Sequence, residues 1–168
     1  TANHDETTKD FADKTYDRSF VLELPGRPTP FELARVPRRP PVSYEALADA
    51  FDRAARDHAK TAEKALRWMQ EHLRGPMDER FQAGWGGRLE SQVRRFVPVV
   101  VAAGGGLGEA LDQVIATRVL RKIKGRHDNI EEDLQYLVDV LEKTWPDKTQ
   151  EPVAARQLIA DELRHLRG

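Results

Sequence analysis

No cysteine occurs among the 168 residues, which excludes disulfide staples and thiolate nucleophiles and fits a reducing compartment, with the cytoplasm as the expected one. Neither charge is in excess: 27 lysines and arginines face 28 aspartates and glutamates, for a formal net charge of -1. A protein coated in positive charge for binding polyanions is thereby excluded, and any basic surface has to be local. Long apolar runs are missing as well. The longest, FVPVVVAA at Phe96–Ala103, is far short of the roughly 20 residues that a bilayer helix needs, so the sequence reads as soluble, with no membrane partner. Strand-forming segments are scarce. Only FVLEL, Phe20–Leu24, alternates as a strand does before Pro25-Gly26 stops it. A lone strand does not stand by itself, so its neighbours are expected on chain preceding Thr1, and the sequence reads as the C-terminal portion of a longer protein.

Proline and helix are abundant, and they are kept apart. Six of the ten prolines, Pro25, Pro28, Pro30, Pro37, Pro40 and Pro41, fall in one stretch that also holds Arg27, Arg35, Arg38 and Arg39; this spacing predicts a stiff extended connector over 25–42. From Ser43 onward the apolar residues recur every three or four positions, as one face of a helix requires. Ser43 is the expected cap of a stripe through Leu47, Phe51, Ala54, Ala62, Leu66, Met69 and Leu73, in one long helix or two, ending at Gly75-Pro76. Further helices are predicted in MDERFQ, in RLESQVRRFVPVVVAA with a kink at Pro98, and in GEALDQVIATRVLRKIKG, NIEEDLQYLVDVLEKTW and VAARQLIADELRHLRG. The fold class is therefore mainly α: a helical bundle over 43–168, preceded by the linker 25–42 and a short α/β piece over 1–24 in which Asp10–Arg18 makes about two helical turns.

The first 25 residues, TANHDETTKDFADKTYDRSFVLELP, put an Asn at a strand end, then DETT, a short helix, DRS and a second strand. This order resembles the sensor 1 and arginine-finger region of AAA+ nucleotide hydrolases, in the branch of McrB-like restriction NTPases and their dynein-related relatives. GWGGRLESQVRRFVPVV and ALDQVIATRVLRKIKG resemble, more weakly, the helical lid of the same branch. The resemblance implies an AAA+ core remnant over 1–24 and a lid over 43–168. It further implies ATP or GTP with Mg2+ as cofactors of the full-length protein, a homo-oligomeric ring, by family a hexamer, and a restriction or defence motor. Asn3 takes the sensor 1 role, Arg18 the arginine finger reaching into a neighbouring subunit, and Arg88 the sensor 2 role at the nucleotide phosphates, with Arg94 or Arg95 as alternatives. These roles suit the chemistry. Phosphoryl transfer is catalysed by positioning a water and by cations around the γ-phosphate, and an Asn amide can both donate to phosphate and accept from water. Arg88 follows Gly86-Gly87 at a predicted helix start, where a cation opposes the macrodipole, a broken local rule of the kind found at functional sites.

Other signals read as structure. AAGGGLGEA at Ala102–Ala110 lacks the Gly-Lys-Ser/Thr of a phosphate loop and reads as an interhelical turn. No metal-ligand spacing joins the five histidines, so no metal site is expected. Asp133, Asp139 and Glu142 fit a solvated face, and Trp85 in its glycine-rich loop is the tryptophan most suited to meeting a partner chain. RVLRKIKGRH, with Arg118, Arg121, Lys122, Lys124, Arg126 and His127, is either a basic helix end complementing its own dipole or a contact for a phosphate backbone. That second option supports an alternative function, a free-standing helical module that binds DNA or an effector protein. On either reading the chain lacks the phosphate-cradling loop and metal-holding acids and should not hydrolyse nucleotide alone.

Overall fold

The computed structural model describes residues 40–126 and 128–167; Asn3, Arg18, the strand Phe20–Leu24 and nearly all of the proline-rich linker lie outside them. The described residues form a mainly α helical bundle with no strand, and none of its helices is long and apolar enough to cross a membrane.

Helix α1 spans Tyr44–Asp57 and starts where the sequence places it, with Ser43 Oγ accepting from the Ala46 N–H at 3.1 Å. The chain breaks at His58, so the first stripe is two helices: α2 covers Ala59–Trp68. The expected stop at Gly75-Pro76 does not occur. The winding continues through a π-helical turn, Met69–Arg74, into α3, Gly75–Glu79. Proline lacks an N–H and its ring crowds the carbonyl four residues back; for Pro76 that carbonyl is that of His72, which lies inside the π turn with its wider i→i+5 winding. An irregular loop leads to α4, Gly87–Ala102, which runs through the buried Pro98 without interruption.

The glycine-rich stretch is the interhelical turn the sequence suggests. Gly104, at φ +96, donates to the Val101 carbonyl at 3.0 Å while Gly105 donates to that of Val100 at 2.9 Å, the paired bonds of a Schellman ending that needs a left-handed residue. Then α5, Leu107–Val114, passes through a second π turn, Ile115–Val119, into a 3₁₀ turn, Leu120–Lys122. Helices α6, Glu131–Thr144, and α7, Val153–Arg167, complete the bundle.

The core is continuous. Helices α1 and α2 lie along α4, α6 pairs with α7, and α5 bridges the two groups. Leu66, Met69, Leu73, Met77, Leu111, Ile115, Leu134, Leu137 and Ile159 are among its fully buried large side chains. Trp68 locks two halves together: its Nε1 donates to the Thr144 carbonyl at 2.6 Å, an otherwise orphaned acceptor at the end of α6, and its ring meets Trp145 edge-on at 5.1 Å.

Neither α5 nor α7 is capped by its own flanking residues. The loop before α7 caps α5: the Gly108 N–H donates to Asp147 Oδ2 at 2.9 Å and that of Glu109 to Gln150 Oε1 at 3.1 Å. In return Asp112 of α5 caps α7, accepting from the Ala154 and Ala155 N–H groups, each at 2.8 Å. The approach is close enough that a Cβ on Gly108 would stand 2.7 Å from the Gln150 carbonyl oxygen. The two carboxylates are shifted in opposite directions. Burial pushes Asp112 above the ordinary Asp value, outweighing its two backbone bonds, whereas the Thr149 hydroxyl, with backbone N–H groups behind it, holds Asp147 below that value.

Asp112→Ala should destabilise the bundle by about 1–2 kcal/mol, the usual worth of a lost helix cap, with Asp112→Asn in between because only one oxygen remains; urea titration by far-UV circular dichroism measures both. A group with a lowered folded pKa stabilises above its unfolded value and loses that contribution as pH falls through the folded one. Asp147 therefore supports the fold at neutral pH and ceases to do so below the ordinary Asp range, near 4. Asp147→Asn should remove that portion of the acid-induced loss of stability, and an unchanged acid profile would contradict the assignment.

Candidate anion-binding site

The loop between α3 and α4 sets the position of Arg88, and it is held from beneath by cations. Phe81, Ala83 and Trp85 alternate into the core while Gln82, at the left-handed φ of 50, turns outward. A buried loop must satisfy its carbonyls. Lys122 Nζ donates to the Gly84 carbonyl at 2.8 Å and Arg126 Nη1 to that of Phe81 at 2.9 Å, and the Ala83 N–H returns to the Met77 carbonyl at 2.8 Å. The basic run is thus largely turned inward, not a surface stripe. Arg118 is 3% and Lys122 9% exposed, and Arg126 also pairs with Asp128. The reason is periodicity: Leu111, Val114, Ile115, Arg118 and Lys122 occupy one helical face, so two cations continue the apolar stripe into the core.

At the end of this loop Gly86 is the N-cap of α4, extended at φ -110 and ψ -176, with no side-chain cap. Directly beside it lies a cavity of about 230 Å³ lined by Gly86, Arg88, Leu89 and Arg118. Of the two lining arginines, Arg88 is exposed and Arg118 buried. Arg118 Nη2 donates to Gln92 Oε1 at 2.5 Å, one turn beyond Arg88. The acid in the first turn of α4, Glu90, is engaged elsewhere by Arg74 and Gln70, each at 3.1 Å. No carboxylate is among the described residues lining the cavity. Arginine side chains are permanently charged, planar forks, and two of them beside the positive end of a sixteen-residue helix have the chemistry to hold an anion with several acceptor oxygens.

Other expected residues are placed as follows. Arg94 points along α2, its Nε donating to Glu63 at 2.8 Å, and Arg95 is exposed farther along α4; neither lines the cavity. With α4 starting at Gly87, Arg88 occupies the position the sequence reading gives it. Trp85 does not present itself to a partner: it is 7% exposed and part of the core, because the loop's alternation carries it inward. Asp133 is not simply solvated either, since it pairs with Arg80, whose guanidinium stacks over the Tyr136 ring at 4.4 Å. Among the described residues no group of His, Asp or Glu side chains is arranged to hold a metal. Arg118 is the site residue that a linear reading misses. Its signal is the phase of the α5 stripe, which puts an arginine where an apolar residue belongs.

No family model, curated protein or solved structure matches the chain.

Lys122→Ala should cost about 1–3 kcal/mol, the penalty of leaving a buried acceptor unsatisfied, and should speed amide exchange in residues 83–89 before any global unfolding. Hydrogen-exchange mass spectrometry tests this. Uniform acceleration across the bundle would show that the lysine is not the specific support of this loop.

Proposed function

We propose that this chain contributes the C-terminal part of an AAA+ nucleotide hydrolase, with residues 43–168 as the lid over the nucleotide. One observation carries the reading: Arg88, the residue that the resemblance assigns to the phosphates, stands with Arg118 on a basic cavity at an uncapped helix start. The N-terminal motif supports it through Asn3 and Arg18.

In this reading the chain's own groups work by position and charge. Asn3 orients the attacking water by accepting from it while its amide N–H donates to a phosphate oxygen. Arg88 meets the phosphates from the lid side. Arg18, presented across a subunit boundary, neutralises charge that develops as the γ-phosphoryl group departs, a contribution on the order of 10³ to 10⁵ in rate. The metal that accompanies ATP or GTP would neutralise part of the charge on the phosphates. Among the described residues the cavity lining offers arginines and no carboxylate to hold that metal. A catalytic pocket shared between chains requires a ring, and the lack of cysteine fits cytoplasmic work.

A second reading, a helical interaction module, is favoured by one observation. Tyr44, Leu47 and Phe51 lie at helical spacing on α1 and are 81%, 47% and 47% exposed, an apolar stripe of the kind that engages partners. A DNA contact through the basic run has less support, because Arg118 and Lys122 are buried.

In the full-length protein Arg18→Ala should lower turnover by 10³-fold or more, on the order expected of an arginine finger, with little change in nucleotide affinity. Mixing it with Asn3→Ala subunits should partly restore activity. Arg88→Ala should weaken nucleotide binding while helicity is kept. Parental turnover in Arg18→Ala, together with parental binding in Arg88→Ala, would leave the module reading.

A further inference from the structure

We propose that Arg118 is the inner arm of a phosphate-binding pocket whose outer arm is Arg88, and that the pocket takes a phosphoryl dianion, either free or at the end of a nucleotide. The pocket deepens the nucleotide reading and rests on it only for the identity of the molecule that carries the phosphate.

The two arginines come from different helical segments and both line one cavity of about 230 Å³. That is several times the roughly 30 Å³ share of one liquid water, enough for a phosphoryl group with part of its hydration. Arg118 issues from the π turn Ile115–Val119. Such turns shift a helix's side-chain register and recur at functional sites, and here the shift accompanies an arginine buried, like Lys122 one turn on, in line with the apolar stripe. The side chain is also held in place, with Nη2 at 2.5 Å from Gln92 Oε1. Gln92 is therefore a positioning residue: it fixes the plane of the fork, and a planar fork favours an anion that can accept two parallel bonds. On the other side Gly86 leaves the start of α4 without a side-chain cap, so a bound oxyanion would serve as that cap. Glu90, the first-turn acid of α4, is itself engaged by Arg74 and Gln70.

The test is calorimetric titration of the full chain with inorganic phosphate, against chloride at matched ionic strength, with ADP and ATP as separate arms. Phosphate should bind and raise the melting temperature while chloride does neither. Affinity should increase between about pH 5.5 and 7.5, as a phosphate group loses its second proton. Arg88→Gln, an exposed position that leaves the core intact, should weaken phosphate binding about tenfold, the effect of one charge-assisted hydrogen bond. Arg118→Lys keeps the charge and loses the fork, and should weaken it comparably; Gln92→Leu should weaken it less, with the pH dependence retained. Parental affinity in both Arg88→Gln and Arg118→Lys, or an equal response to chloride, would overturn the pocket. ATP binding no tighter than phosphate, with both arginine variants still impaired, would uphold the pocket and dismiss the nucleotide reading.

Discussion

Cations turned inward beneath a loop, Lys122 buried and Arg126 half-buried, are the constraint on which the rest of this bundle depends. Lys122 and Arg126 reach the carbonyls of Gly84 and Phe81, and those bonds define the loop that delivers Gly86 and Arg88 to the start of α4. Taking an ammonium or guanidinium group out of water is costly unless its donors are met. Loop carbonyls are in turn costly to bury unless something donates to them. Each set satisfies the other, so the basic run and the glycine-rich loop are one structural unit despite their distance in sequence. Arg118 belongs to the same buried face and is the member that reaches a cavity.

The second organising device is the exchange of caps between α5 and α7. Asp112 serves the start of α7, while Asp147 and Gln150 serve the start of α5. Because each helix supplies what the other lacks, their separation is fixed by hydrogen bonds as well as by apolar contact, and Gly108 is small enough to let the loop backbone in. A bundle joined this way presents α4, the helix carrying the candidate site, on a rigid support. The exposed apolar side chains of α1 lie on the far side of the sequence from this cross-linked half and are held chiefly through α4.

Much of this architecture was legible from pattern. The three- and four-residue apolar spacing, Ser43 as a cap, and the glycine-rich turn between α4 and α5 all follow from local rules, and the structure has them. Gly75-Pro76 was misleading because a stop rule written for α-winding does not anticipate the π turn before it. Trp85 and Asp133 were misplaced because what they touch, the core and Arg80, comes from distant segments. Of the candidate site, Arg88 at a helix start was visible in the sequence. Arg118 was grouped with the basic helix end 118–127 because charge is read linearly and burial is not. Reading the stripe of α5 one turn further, from Ile115 to Arg118 and Lys122, would have marked both cations as inward-facing.

The exchange of caps also bears on how the chain is made. During synthesis α5 is made before Asp147 and Gln150, so its first turn must wait, hydrated, until α6 and the following loop have emerged. Contacts between remote segments have to meet the entropy of closing a long loop before they stabilise anything. The α5–α7 half therefore completes only after translation has reached the last helix, while α1 and α2 can already be docking on α4: the polypeptide matures from its front to its back, and a nascent chain stalled before residue 147 would carry a half-finished bundle.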